Sequence, residues 1–354
     1  MTKKTVNIIY NDDGSDRQVF AGTEILLDNI SKTASEVQEA LKRAGFKTSI
    51  TALKVVKDRG LDDFIKGIRD AEDGIIFNLC EAAFGKSSHE MHVAALLELY
   101  GLKFTGSGPL TLGLALDKGI TKDLLTSRDI MTPEHCVLRE PPTKLKRNMQ
   151  FPVIVKPLRE DASLGIDSGA VVHKMKDFKK RVEFIINTFK QPAIVEEYID
   201  GREFNVAVLG NGRDVRALPP AELLFVDFPE GVPRICSYEA KWISSSPLYK
   251  KTVPQCPADI PESLRDELQG VALKAYEIMG CRDYARVDMR LGEDGNIKVL
   301  EVNPNPDISS DAGLARAAMA SGMDYKAFIA EIVNIAWARY PASLMPAETR
   351  VSAG

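Results

Sequence analysis

The stretch YARVDMRLGEDGNIKVLEVNPNP, residues 284–306, constrains the fold more than any other part of the chain. Two runs of strand-forming residues flank a turn rich in Gly and Asp, a strong hairpin signal. With the turn centred near Asp294 and antiparallel pairing, Asp288 stands beside Glu301 and Arg286 beside Asn303, because side chains on one face recur every second residue. The opposite face carries Val287, Met289, Leu300 and Val302. One side is core, and the other holds two carboxylates, an amide and a guanidinium.

Carboxylates about 5 Å apart repel by roughly 3 kcal/mol at an effective dielectric of about 20, and like charges directly opposite in a sheet are destabilising. A positive group has to compensate. Arg286 alone would give a salt-linked, exposed face. A divalent cation held by Asp288, Glu301 and Asn303 is the other solution, since all three are hard oxygen donors and Mg2+ leaves positions open for phosphate oxygens. The hairpin by itself leaves both readings open.

The chain has 354 residues, 44% of them hydrophobic, which is enough for two or three globular domains. A formal net charge of −4 gives no global basic field, so nucleic acid and anionic membranes are not expected partners, and a small-molecule substrate is. Cys80, Cys136, Cys236, Cys256 and Cys281 lack CxxC spacing, so neither a disulfide framework nor a zinc site is expected. The same usage fits the reducing cytosol. MTKKTVNIIY has no apolar segment long enough for a signal peptide, no run of about 18 apolar residues occurs elsewhere, and a cytoplasmic protein is expected. Residues 341–354 read as a loose tail.

TVNIIY (5–10) predicts a buried strand, EVQEALKRAGF (36–46) a helix closed by Gly45, and GIIFNLC (74–80) a second buried strand. HEMHVAALLELYG predicts a helix ended by Gly101. This β-α-β opening implies an open parallel sheet with its ligand crevice at the C-terminal strand ends. TGSGPLTLG is not a full GxGxxG fingerprint, and there is no GxxxxGK[ST]. A compact α+β unit follows, with a helix at ITKDLLTSRDI, a strand FPVIVKP, a polar loop REDASLGIDSG, a strand GAVVH, a helix over 176–189 and strands AIVEEYI and EFNVAVLG. Beyond it come further antiparallel strands, a helix over 261–280, the hairpin and a helix over 324–339. His89 and His92 form HxxH without a following ligand, so a metal role is not expected there.

Lys156 ends an apolar strand and points opposite to Phe151, Val153 and Val155, so it must reach water or meet an anion. The small, polar loop from Asp161 to Gly169 suits a flap whose backbone N–H groups wrap phosphate oxygens. Lys241, in YEAKW, reads either as a solvated strand lysine or as a further cation for phosphate. The acidic run VEEYIDGRE is either a solvated turn or a set of acceptors for a nucleoside, with Glu203 suited to ribose hydroxyls.

Taken in order, TGSG with DKGITKDLL, FPVIVKPLREDASLGI, IVEEYIDGREFNVAVLG, SYEAKW, ARVDMRL and LEVNPNP resemble the ATP-grasp ligases, and specifically the D-alanine:D-alanine ligase family, over roughly residues 74–340. The resemblance implies an α/β ATP-grasp fold in three parts: an N-terminal parallel-sheet substrate domain (1–117), a central α+β lid (118–203) and a C-terminal antiparallel-sheet domain with the Mg2+ site (204–340). It implies a carboxylate–amine ligase acting through an acyl phosphate, and a homodimer. By family position, Lys118 and Lys156 would contact phosphates, Glu196, Glu197 and the backbone through Ile199 the adenine, and Glu203 the ribose. Lys241 would reach the terminal phosphates, with Asp288, Glu301 and Asn303 holding two Mg2+ ions, for which Mn2+ can substitute. Arg286, Lys241 and Ser163 of the flap would be catalytic.

The chain departs from that family where substrate is held. After LEVN a glycine turn and a serine are usual, but here Asp307 stands near the expected glycine and Ala312 near the serine, with Ser309 and Ser310 as substitutes. Glu81, in NLCEAAFG, replaces an expected histidine-glycine motif, and Trp242 stands where tyrosine is usual. Extra carboxylates at Glu81, Asp307 and Asp311 are either surface groups or suit a cationic amino-acid or peptide substrate. The competing expectations are a D-Ala-D-Ala ligase of peptidoglycan synthesis and a sensor that binds ATP without ligating.

Overall fold

A computed structural model describes residues 4–12, 17–20, 23–26, 30–54, 60–69, 74–146 and 148–340. The expected tail at 341–354 lies outside them. In chain order the first elements are β1 (Thr5–Asp12), β2 (Arg17–Phe20), β3 (Thr23–Leu26), α1 (Ile30–Arg43), β4 (Lys47–Lys54), α2 (Gly60–Arg69), β5 (Ile75–Asn78), α3 (Glu90–Leu99) and α4 (Pro109–Leu116). β4, β1 and β5 form a parallel sheet in that order, and Phe104 adds a parallel bridge beside Ile76. The expected β-α-β opening is therefore present. Val6 and Ile8 enter one core and Ile9 another, so both faces of this sheet are covered, as parallel sheets require.

The middle of the chain contributes α5 (Lys118–Thr126), β6 (His135–Leu138), β7 (Val153–Pro157), β8 (Val171–Val172), α6 (Met175–Phe189) and β9 (Ala193–Glu197). Its strands pair antiparallel in the order β6-β9-β7-β8, with α6 packed on Val153, Val155, Val172 and Val195. Ile154 turns the other way, toward Ala170 and Ile235, as the alternation in FPVIVKP predicts.

The remainder is β10 (Gly201–Leu209), β11 (Arg216–Ala217), β12 (Ala221–Phe225), α7 (Tyr238–Trp242), α8 (Pro247–Lys251), β13 (Thr252–Gln255), α9 (Glu262–Ile278), β14 (Tyr284–Gly292), β15 (Ile297–Asn303), α10 (Gly313–Ala320) and α11 (Tyr325–Ala338). The antiparallel sheet runs β13-β12-β10-β14-β15, with β11 also on β10. Helix α9 covers its apolar face through Leu268, Ala272, Ala275 and Tyr276. Helices α10 and α11 instead cross to the first sheet, where Leu314, Phe328, Ile329 and Ile332 share a core with Val6, Ile8, Val37, Leu41, Ile75 and Phe77. The helix-ending glycines Gly45, Gly101 and Gly280 all take positive φ, the left-handed cap glycine favours.

Two expectations change. YEAKW is the short helix α7, not a strand, because the Ser237 hydroxyl accepts from the Ala240 N–H at 3.2 Å and nucleates the turn. In the β14–β15 hairpin the register jumps between Asp288 and Met289, so Met289 opposes Val299 and not Leu300. The bulge leaves Leu300 half-buried and puts Val299 in its core place.

Candidate active site

The hairpin register is the expected one where it matters: Arg286 pairs with Asn303 and Asp288 with Glu301. The bulge starts one residue later, so the polar face is preserved. Asn205 on β10 stands opposite Asp288 and donates to its Oδ1 at 2.8 Å. Arg286 forks onto Asp288, with Nε–Oδ1 and Nη2–Oδ2 both at 2.7 Å, and its Nη2 lies 3.8 Å from Glu301 Oε1. Burial pushes the Asp288 carboxyl above its ordinary range, against the pull of Arg286. Burial pushes Glu301 the same way, but Lys118, Arg286 and Lys156 outweigh it and hold that carboxyl below its usual range. Three cations therefore converge on one carboxylate.

Those cations come from separate elements. Lys118 begins α5, whose N-terminus is capped by Asp117 accepting from the Ile120 N–H. The Lys118 ammonium donates to Glu160 O and lies 3.3 Å from Asp161 Oδ1, so the flap rests on it. Burial lowers its pKa, yet Asp161 and Glu301 more than restore it. Lys156 meets an anion within the protein, Glu196 Oε2, at 2.9 Å. Lys122, one helical turn after Lys118, approaches Glu196 Oε1 to 3.2 Å and donates to Leu300 O, the carbonyl at the bulge. Its geometry toward Oε1 makes an ion pair but no hydrogen bond, and that buried oxygen is left without a hydrogen-bond partner. Burial lowers the Lys122 pKa to about 8, while Glu196, which burial would raise, is held down by Lys122 and Lys156. One carboxylate thus gathers two enclosed ammoniums beside the cluster around Glu301.

The flap is tied to α7 and the loop before it at three points. Trp242 Nε1 donates to Ala162 O at 2.8 Å, Ser163 Oγ to Cys236 O at 2.8 Å, and the Tyr238 N–H to Ile166 O at 2.8 Å. Ala162 and Ser163 hold φ of 54° and 62° at the flap tip. Lys241 sits on α7 with its ammonium 4.7 Å from the Trp242 ring centroid, so the flap and this lysine form one body.

On the acidic run, Glu197 binds Lys298 at 2.8 Å, and Glu203 binds Arg290, whose Nη1 also donates to Ile199 O. Gly201 opens β10 where an added Cβ would come within 2.1 Å of Leu291 O. Only glycine permits that approach.

The residues proposed for substrate are less gathered. Glu81 is exposed and its N–H donates to Asn11 Oδ1 at 3.1 Å. Asp307 accepts from the Ser309 N–H at 2.8 Å and its hydroxyl at 3.0 Å, and the Ser310 N–H donates to Glu36 Oε2 on α1 at 3.1 Å. Those three residues make a turn against α1. The pattern in the sequence did not single out Glu90, which starts α3 and accepts from Asn305 Nδ2 at 2.8 Å. Its carboxyl is enclosed although the residue is only partly buried, and burial first, then Asp161 and Glu81, push it well above the usual range. His89 Nδ1 lies 3.0 Å from Ala83 O.

Residues 125–334 match the family model described as the D-ala D-ala ligase C-terminus. The chain is 35% identical to an uncharacterized protein, y4sG, of Sinorhizobium fredii over 314 residues, covering 87% of this chain and 88% of that one. It is 30% identical to a D-alanine–D-alanine ligase of Marinomonas sp. over 340 residues, covering 95% and 97%. The D-alanine–D-alanine ligase of Bacillus anthracis solved with ATP superposes with a TM-score of 0.73 at 22% identity, covering 96% of this chain and 98% of that one. That structure shares the ATP-grasp fold, and the chain belongs to the D-Ala-D-Ala ligase family of ATP-grasp ligases.

Proposed function

We propose that the protein joins a carboxylate to an amine at the expense of ATP, with a specialised amino-acid or peptide substrate in place of plain D-alanine. The observation that carries the reading is the rung of Arg286, Asp288, Glu301 and Asn303, on whose Glu301 Lys118 and Lys156 converge. The donor set fits a divalent cation: Asp288, Glu301 and Asn303 would hold two Mg2+ ions, which supply charge neutralisation to the nucleotide's terminal phosphates. In the reaction the substrate carboxylate takes the terminal phosphoryl group and ADP leaves; the amine then attacks the acyl carbon and phosphate leaves. Such transfers need positioning and charge compensation more than covalent help. Lys118, Lys156 and Lys241 would orient phosphates, Glu196 and the Ile199 backbone the base, and Arg286 would steady the developing oxyanion. The flap excludes water. Cys236 stands beside Arg286 and Asp288, but burial pushes its thiol up to about 12, which removes it as a nucleophile.

The charges of Glu81 and Asp161 both act on Glu90, which accepts from Asn305, and this grouping of carboxylates supports a cationic or amine-rich substrate. The Marinomonas relative supports the alternative, D-alanine itself. In this reading the parts divide at 117/118 and 203/204, and the protein acts as a dimer. ADP release with Mg2+ against a panel of D- and L-amino acids and dipeptides tests it: a cationic pair should lead, strong activity with D-alanine alone removes the specialised substrate, and no ADP release with any pair removes the ligase.

A further inference from the structure

The sheet face that carries Asp288 has a second polar rung two residues along β14. There Arg290 stands opposite Glu203 of β10, as Asp288 stands opposite Asn205. Strand rise separates the rungs by about 7 Å, comparable to the reach from a nucleotide's terminal phosphates to its ribose.

Arg290 is almost fully buried and uses its donors on three segments at once. Nε and Nη2 bind Glu203 Oε2 at 3.1 and 2.7 Å, Nη1 binds Ile199 O at 2.5 Å in the β9–β10 hinge, and Nη2 also donates to Arg234 O in the loop before α7. The rings of Tyr198 and Phe225 flank the guanidinium at 5.7 and 5.8 Å. A buried ion pair is a poor source of stability, since an apolar pair of similar volume often does as well. What the fork supplies is geometry. It is planar and rigid, so Ile199, Glu203 and Arg234 are fixed relative to one another. Both contacts to Glu203 fall on Oε2, which reserves Oε1 as an acceptor.

We propose that Arg290 is the positioning residue for the nucleoside end of the site: it aims Glu203 Oε1 at a ribose hydroxyl and sets the hinge backbone that receives the base. The proposal rests on the ligase reading above. Lysine cannot replace the arginine, because one ammonium cannot serve three coplanar acceptors.

Calorimetric binding of a nonhydrolysable ATP analogue and its 2′-deoxy form, with Mg2+, tests this on wild type, Arg290→Met, Arg290→Lys and the control Arg202→Met. Arg202 pairs with Glu222 at 2.6 Å. Wild type should prefer the ribonucleotide. Arg290→Met should weaken it about tenfold or more and bring the ribo/deoxy ratio toward one, Arg290→Lys should lie about three- to tenfold below wild type, and the control should stay within about twofold. Should Arg290→Met not fold, the lysine variant decides. An unchanged affinity and ratio in the folded Arg290 variants, or an equal loss in the control, overturns the inference alone. A wild type that binds no analogue overturns the ligase reading and this inference together.

Discussion

Arg286 and Glu90 show two different ways in which burial is handled at single residues. Asp288 raises the Arg286 pKa against the downward push of burial, so this cation is permanently available. Arg286→Ala should therefore cut kcat by about 10²- to 10³-fold while ATP affinity changes little; equal losses in both would contradict its role. Glu90 has a folded pKa above its ordinary 4.5, so its contribution is fully present below about pH 4.5 and lost as pH rises through the folded value. Glu90→Gln removes that loss, and its melting temperature relative to wild type should climb between about pH 5 and pH 8. A flat difference would show that the carboxyl is not enclosed. The hairpin quartet was legible in the sequence because period-two alternation and a tight turn fix the register. Glu90 was not, since its partner Asn305 lies 215 positions away. Lys122 could have been found: it lies four residues after Lys118 on α5 and so shares its face.

At the scale of elements, the segments that join sheets proved harder to read than the sheets. FPVIVKP and AIVEEYI paired as their alternation demands, whereas YEAKW curled into α7 because a serine cap and the ion-dipole contacts of a short turn outweigh strand propensity. The β15 bulge also escaped reading, as its partners are distant in sequence: Lys122 donates to the Leu300 carbonyl and the Val299 N–H to Met131 O. Trp242→Ala removes one of the three ties that hold the flap to α7 and the loop before it. Cleavage within 159–169 by a nonspecific protease should then quicken several-fold, and the change should disappear when nucleotide is added. Gly201→Ala tests the hinge: with Leu291 O at 2.1 Å from the new methyl, β10 and β14 must part, at a cost of about 2–3 kcal/mol in the urea midpoint analysis.

At the scale of the whole molecule, the three larger sheets are each built from strands of one stretch of chain, but the helices that cover them are not. The parallel sheet is covered by α1 and by the last helices, a partnership that no local pattern in the first hundred residues announces. Among the described residues no helix is long and apolar enough to cross a membrane. Phe328→Ala, at a fully buried site shared by α11 and that sheet, should cost about 3–5 kcal/mol by equilibrium denaturation; a surface-like loss below about 0.5 kcal/mol would mean that α11 is not part of the core.

Because β1 and β5 leave the ribosome long before Phe328 is made, the part of their apolar face that α10 and α11 cover stays open for most of synthesis, with α1 alone packed beside it. The amino-terminal layer thus finishes last although it is born first, and a nascent chain stalled ahead of its final helix should be the species that chaperones hold.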